Sequence, residues 1–445
     1  MHFSLDVLRA HKGDCLMLHY GTDADRHLIL IDGGPANVYE PQLSKRIERV
    51  HKARGLEKND PLPVDVLMVS HVDDDHIRGI LELTRDQLGN SPDLRLKVAS
   101  LWHNSFDDLL NSKADELLSD VGQAPLTASA GRNSGFDGIE IDAKDDKEEE
   151  EIHHTIEVLA SISQGRQLRD DREALQKRSP GQRQWKLNNK FGGKLIMATA
   201  AAQPVTLDGD LKITVAGPMK PELEALQQAH DKWLAERKAG MKKSPEAMLA
   251  AFVDESVPNL SSIVVLAELG GKSILLTGDA RGDKILAGLE LAGLLAPGGK
   301  LKIDLLKAPH HGSDNNVEPV FFERLPADHY VFSGDGEHGN PERATLEMLL
   351  QARGVDAEYT IHLTYPVAEI DIGRQKDWEE AQAKEKARKK RNPNTTKPVR
   401  EDWSPIKQSL AALFQAHPKF GAKVKIVQDG QPHMIDLLDP VEPKI

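Results

Sequence analysis

The chain has one cysteine, 4% aromatic residues and no excess of basic charge, and each shortage excludes something. A single thiol, Cys15, forms no internal disulfide framework and fits a reducing compartment. It stands in an apolar, strand-like run, as a buried thiol does, rather than in the setting of a nucleophile. Seventy acidic against 57 basic residues leave a net charge of −13. There is thus no global basic footprint for nucleic acid, and any such contact must come from local basic segments. No apolar run approaches the ~20 residues that span a bilayer. The start, Met1-His2-Phe3-Ser4-Leu5-Asp6, lacks the basic opening and apolar core of a secretory signal. The expected location is the cytoplasm, with no membrane partner.

What is present is a chain of 445 residues, 39% of them hydrophobic, enough for a sizeable core with insertions. Its densest chemistry lies in Ser70-His71-Val72-Asp73-Asp74-Asp75-His76. The apolar run Val64 to Val69 before it, bounded by Pro61-Leu62-Pro63, reads as a buried strand. Ile77, Ile80, Leu81 and Leu83 after it recur at helical spacing. The cluster therefore occupies a strand-to-helix loop, at the carboxyl edge of a sheet where open α/β folds place ligands. Two imidazoles and three carboxylates within six residues repel and desolvate poorly unless a cation draws them together. A metal site follows, and imidazole with carboxylate suits Zn²⁺, Mn²⁺ or Fe²⁺. A solvated acidic loop with two incidental histidines would leave the strand and helix around it unexplained.

Other strand ends repeat the pattern. Phe3 to Arg9, Cys15 to Tyr20 and His27 to Ile31 read as strands joined by the turns Lys12-Gly13-Asp14 and Gly21-Thr22-Asp23. The third runs into Asp32-Gly33-Gly34, where an Asp can turn its carboxylate back to hold a ligand imidazole in one tautomer. Ser44 to Arg54 reads as a helix. A strand from Leu94 to Leu101 ends at His103, which taken alone is more often structural. Ser262 to Leu269 and Ser273 to Thr277 make a hairpin that ends in Gly278-Asp279. Ile303 to Lys307 ends in Pro309-His310-His311-Gly312-Ser313. Tyr330 to Ser333 precedes Gly334-Asp335-Gly336-Glu337-His338, and Glu342 to Arg353 is helical. Successive strands ending in ionisable groups beside glycine argue for one shared site.

Between these pieces the pattern loosens. The charge run Asp142 to Glu151 reads as a solvated helix face or loop. Arg166 to Lys190 is basic and broken by Ser179-Pro180-Gly181, and an amphipathic helix follows at Glu222 to Lys238. The expected organisation is a core over 1–106, a polar, mainly helical insertion over 107–210 and a second core part over 211–365. A charged helical linker with a small helix-and-hairpin extension then covers 366–445. In that extension Lys384 to Arg391 carries six basic residues among eight. Ile406 to Ala416 is a helix, and the strands Lys423 to Val427 and His433 to Leu438 pair across Asp429-Gly430.

Taken in order, Ile31-Asp32-Gly33-Gly34, the His71 to His76 loop, Leu276-Thr277-Gly278-Asp279 and Pro309-His310-His311-Gly312-Ser313 resemble the metallo-β-lactamase fold superfamily. The resemblance is greatest to its competence-protein-like branch, related to the hydrolase domain of the DNA-uptake channel. It implies an α+β fold, the αββα metallo-β-lactamase sandwich, with two divalent metal ions, Zn or Mn, between its sheets. It also implies the ligands. His71, Asp73 and His103 would bind one ion, Asp75, His76 and a late histidine the other, and Asp279 would bridge them; His310 is the expected late ligand, with His311 its substitute or a group supporting the ligands. Position 73 is Asp where the family motif has His, which weakens the preference for Zn²⁺ there and makes Mn²⁺ more acceptable.

The chemistry implied is hydrolysis by water ionised between two metals. Asp75 orients that water, and His311 or His338 protonates the leaving group or stabilises charge. His338 serves equally well as a loop residue capping the next helix. The leading expectation, which the resemblance supplies, is a metal-dependent phosphodiesterase, a nuclease; the basic stretches Arg166 to Lys190 and Lys384 to Arg400 could grip its phosphates, and read equally well as solvated linkers or exposed helix faces. The alternatives are a lactone, ester or amide hydrolase acting on a small molecule, and a metal-stabilised regulatory protein without turnover. A further expectation is latency, relieved when a partner protease cuts the insertion within Arg166 to Lys190.

Overall fold

Along β1 (His2–Val7), Phe3, Leu5 and Val7 alternate with Ser4 and Asp6, and in the computed structural model the two sets face opposite ways. The structure describes residues 1–89, 95–104, 164–178, 184–221, 261–393 and 395–441. The apolar set of β1 joins Leu16, Leu18 and Tyr20 of β2 (Leu16–Gly21), Ile29 and Ile31 of β3 (Arg26–Ile31) and Val66 and Met68 of β4 (Leu62–Met68). Opposite them lie Ile213 and Val215 of β8 (Lys212–Gly217), Val265 and Ala267 of β9 (Val264–Leu269), and Ile274 and Leu276 of β10 (Lys272–Leu276). Leu305 of β11 (Ile303–Lys307) and Val331 of β12 (Ala327–Phe332) complete that face. Two mixed sheets thus share an apolar interior, and strands covered on both faces read as nearly continuous apolar runs.

The first sheet runs β15-β1-β2-β3-β4-β5-β6, with β5 at Leu96–Trp102, β6 at Lys186–Leu187 and β15 at Met434–Asp436. The second runs β14-β13-β12-β11-β10-β9-β8-β7, with β7 at Val205–Thr206, β13 at Thr360–Leu363 and β14 at Val424–Ile426. Outside the first sheet, Met17, Leu30, Leu67 and Leu101 pack on Ile47 and Val50 of α1 (Lys45–Ala53), on Ile77, Ile80 and Leu81 of α2 (Asp74–Leu88), and on Leu168 and Leu175. Outside the second, Leu266, Leu275 and Leu306 pack on the helices Gly282–Leu291, Pro319–Arg324 and Arg343–Arg353. No described helix is long and apolar enough to cross a membrane.

In each sheet one run of strands out to an edge is parallel, β3 to β6 in one and β10 to β14 in the other. Their carboxyl ends carry the loops in which the chemistry lies. Two glycines bring the first pair of loops together. Gly33 N–H donates to the His76 carbonyl at 2.7 Å and Gly79 N–H to the Gly34 carbonyl at 2.9 Å. A Cβ on Gly79 would lie 2.0 Å from the Gly33 oxygen, so only glycine permits the contact.

Several expectations change. Within 107–210 the described residues are a helix over 164–178, then mostly irregular chain that contributes β6 and β7 to the two sheets. The basic stretch is built into the core rather than laid loosely over it, because Leu168, Leu175 and Trp185 are fully buried. The C-terminal hairpin does not form. Both strands exist, but β14 pairs with β13 and β15 with β1, so the chain crosses from one sheet to the other between them. The helix expected over Ile406 to Ala416 breaks into Pro405–Gln408 and Leu410–Ala416, where Ser409 caps the second piece by accepting from Ala412 N–H at 3.0 Å. Lys384 to Arg391 form the end of the helix Val367–Arg391, and Arg400 pairs with Glu385 at 2.8 Å. The charge run Asp142 to Glu151 and the helix expected at Glu222 to Lys238 lie outside the described residues.

Candidate metal centre

The carboxyl end of β4 delivers Ser70, His71 and, across the first turn of α2, Asp75 and His76. The end of β3 delivers Asp32, the end of β10 delivers Asp279, and the loop after β11 delivers His310 and His311. Because the two sheets face one another, these loops meet. His76 Nε2 lies 3.3 Å from His311 Nε2 and 3.3 Å from Asp279 Oδ1. His311 Nε2 lies 3.4 Å from Asp75 Oδ2 and 3.4 Å from Asp279 Oδ2. His71 Nε2 stands 3.7 Å from Asp279 Oδ2.

Each imidazole is held from behind. Asp32 accepts from Ser70 N–H (2.7 Å), Ser70 Oγ (2.6 Å) and His76 Nδ1 (2.8 Å), which places the His76 proton on Nδ1. Ser70 Oγ, having given its proton to Asp32, accepts from His71 Nδ1 at 3.1 Å. His311 Nδ1 meets Ser333 Oγ at 2.8 Å and Asp14 Oδ1 at 3.5 Å. All three rings therefore turn Nε2 inward, and buried His71 Nε2 and Asp279 Oδ1 make no hydrogen bond. Tautomers fixed by oxygen partners, with orphaned nitrogen and oxygen atoms facing one another, are what a cation site requires. The spacing fits as well, since donors at ~2.0–2.1 Å from a tetrahedral ion stand ~3.4 Å apart.

The electrostatics report the same need. Burial alone would strip the proton from His76, yet the carboxylates of Asp279, Asp32 and Asp75 hold its pKa well above the ordinary value. His311 is pushed up to about 10 against burial, chiefly by Asp279 and with help from Asp14. Asp279 and Asp75 are held well below the usual carboxylate range, against burial, by the imidazoles around them. Protons here do the work of a cation, and a metal would have to displace them.

Buried His/Asp groups that could hold a metal ion are His71, Asp75 and His76, and Asp14, His76, Asp279 and His311. Asp14 is the exception in character. It lies on the Nδ1 side of His311, and the buried Lys307 ammonium already balances its charge in an ion pair. Its Oδ1, 3.5 Å from His311 Nδ1 and without a hydrogen bond, belongs to the same buried group as His76 and Asp279. Asp73 stands at the mouth, 3.5 Å from His71 Nε2 and 29% exposed. His310 flanks the group, its Nε2 3.7 Å from Asp279 and its Nδ1 on Asn316. Of the two histidines, His311, the substitute, is the one whose Nε2 meets His76, Asp75 and Asp279, while His310 stays at the flank. Both residues have left-handed backbone, φ 46° and 55°, so strand alternation no longer tells which side chain turns inward.

His103, expected as a ligand, joins neither group. It is buried at the end of β5, its backbone bracketed by the Asn188 side chain at 3.0 and 2.8 Å, and it faces Gly165. His338, expected to move protons, is 63% exposed and sits at the rim beside Lys12. The sequence reading missed Asp14, Lys307, Ser70 and Ser333. Lys307 left a usable signal, because a lysine closing an apolar strand must find a buried carboxylate. Compared with protein-family models and with curated proteins, the chain matches none.

Proposed function

We propose that this chain is a metal-dependent hydrolase of the metallo-β-lactamase fold superfamily, in its competence-protein-like branch, and that it cleaves phosphodiesters of nucleic acid. The observation that carries the reading is the buried meeting of three imidazole Nε2 atoms with the Asp75 and Asp279 carboxylates, supplied by loops from both sheets. The layer order supports it too, since helices outside each of two facing sheets correspond to an αββα sandwich.

In this reading His71, His76 and His311 would hold the metal through Nε2, with Asp75 and Asp279 as its oxygen donors. Asp73 and His310 stand where either could complete a coordination shell. Mixed nitrogen and oxygen donors suit Zn²⁺ or Mn²⁺. The bound metal supplies Lewis acidity and water activated near neutral pH. The chain's own residues do the rest. Asp32 and Ser70 fix His71 and His76, Asp14 and Ser333 fix His311, and Asp75 would orient a water from the first turn of α2, whose N-terminal dipole favours a carboxylate there.

The deciding experiment incubates the purified protein, loaded with Mn²⁺ or Zn²⁺, with single- and double-stranded DNA and with RNA, beside a variant carrying Asp75→Asn and His76→Ala. Metal-dependent cleavage by the parent and none by the variant is the expected result. A folded, metal-loaded protein that cuts none of the three removes the nuclease reading and leaves small-molecule hydrolysis to be tested.

A further inference from the structure

Two loops run outward from the metal centre and meet again at the surface. The first joins β1 to β2. Its Asp14 supports His311, and Gly13 is pressed so closely on the metal loop that a Cβ there would lie 1.9 Å from the Asp75 carbonyl. The second follows β12. Its Ser333 holds His311 Nδ1, and Gly336 is wedged against the helix Val367–Arg391, where a Cβ would lie 2.2 Å from the Ile370 carbonyl. At the meeting point Lys12 Nζ lies 2.8 Å from Glu337 Oε1 and 3.1 Å from His338 Nε2. Beside it His11 Nδ1 lies 3.2 Å from Asp335 Oδ2. Lys12 is 28% exposed, Glu337 53% and His338 63%.

This arrangement matters because the part of the centre that reaches solvent is acidic. Asp73 stands in it, with Asp75 and Asp279 behind. An anionic substrate needs a cation on its approach, and Lys12, its backbone held by Gly13 against the Asp75 carbonyl, lies close enough to Asp75 and Asp74 to feel their charges. Its present partner is a carboxylate on an exposed loop, and an ion pair that water reaches contributes little. A substrate anion can therefore take the place of Glu337 at small cost.

Resting on the hydrolase reading, we propose that Lys12, with His338 beside it, seats the anionic phosphate of a phosphodiester substrate, and that Glu337 occupies this seat until the substrate arrives. The two halves of one ion pair then act in opposite directions. Removing Lys12 removes the seat, whereas removing the Glu337 charge empties it.

The test is calorimetric binding of inorganic phosphate to the metal-loaded protein at low salt, with the KM for a chromogenic phosphodiester as a second readout. Lys12→Gln is expected to weaken phosphate binding about five-fold and Glu337→Gln to tighten it about two-fold, as for partly exposed charge pairs. Lys12→Arg retains binding within about two-fold, and the Lys12→Gln effect shrinks as salt is raised. A loop latch without a ligand role predicts that both charge-removing variants change binding in the same direction, and that result overturns the proposal. Absence of phosphate binding by the parent overturns it equally. Phosphate binding with the opposed pattern but no phosphodiester turnover keeps the anion seat and removes the phosphodiesterase reading. Turnover that both variants leave unchanged does the reverse.

Discussion

His71, His76 and His311 come from two distant parts of the chain, and each commits Nδ1 to an oxygen and leaves Nε2 for the centre. The Asp32 carboxylate serves two of them, His76 directly and His71 through the Ser70 hydroxyl. Replacing Asp32 with Ala frees both rings to rotate or to change tautomer. We expect Asp32→Ala to lower metal affinity ~10- to 100-fold, the usual effect of losing such a support, as read by titration against a chelator of known affinity. Unchanged affinity would mean that packing alone positions the rings. The sequence pointed to this role for Asp32 only weakly, because a strand-end Asp before two glycines can turn its carboxylate toward a neighbouring loop without having to do so. It could not suggest Asp14, whose turn Lys12-Gly13-Asp14 resembles any other until Lys307 and His311 are brought to it.

At the scale of elements, the decisive contact is the crossing of the loop after β3 over the start of α2. Paired N–H···O bonds of 2.7 and 2.9 Å join Gly33 to His76 and Gly79 to Gly34, backbone on backbone. This fixes Asp32 against His76 before any side chain contributes. Gly79→Ala places a methyl 2.0 Å from the Gly33 oxygen and must push the loop away. The expected outcome is a loss of ~1–3 kcal/mol in urea unfolding, typical of an overpacked contact, together with weaker metal binding. Alanine is the better helix former by ~1 kcal/mol, so a stabilised variant would show that the crossing gives way freely. Strand ends and the α2 pattern were legible in the sequence because buried strands and amphipathic helices have periods of their own. The choice between His310 and His311 was not, because positive φ at both erases that period.

Across the whole molecule, the chain closes by passing from β14 in the second sheet to β15 in the first, and three histidines span that closure. His329 on β12 meets His362 on β13 at 3.0 Å, and His362 meets His433, just before β15, at 2.8 Å. His433 N–H donates to Asp6 on β1. Burial, with His433, His329 and Lys425 nearby, pushes the His362 pKa down to about 2 from 6.5. The unfolded chain therefore takes up a proton below pH 6.5 that the folded chain refuses, so this stability is complete above 6.5 and falls as the solution is acidified. Between pH 6.5 and about 5 the loss is at most about 2 kcal/mol for one such group. His362→Gln should flatten that part of the curve in urea unfolding at the two pH values. An equal loss in parent and variant would assign the acid sensitivity elsewhere.

The sequence by itself determined the local units, because the information for them is local. Alternation set the strands, helical spacing set α1 and α2, and the crowding of like charges between His71 and His76 pointed to a group that could hold a metal ion. The tertiary structure alone decided how those units combine. It placed His311 rather than His310 inward and left His103 facing Gly165. It gave Asp14 and Lys307 to each other, built the basic segment around Leu168 and Trp185 into the core, and sent the two last strands to different sheets. Each of these depends on which faces meet across hundreds of residues, and no period in the chain records that.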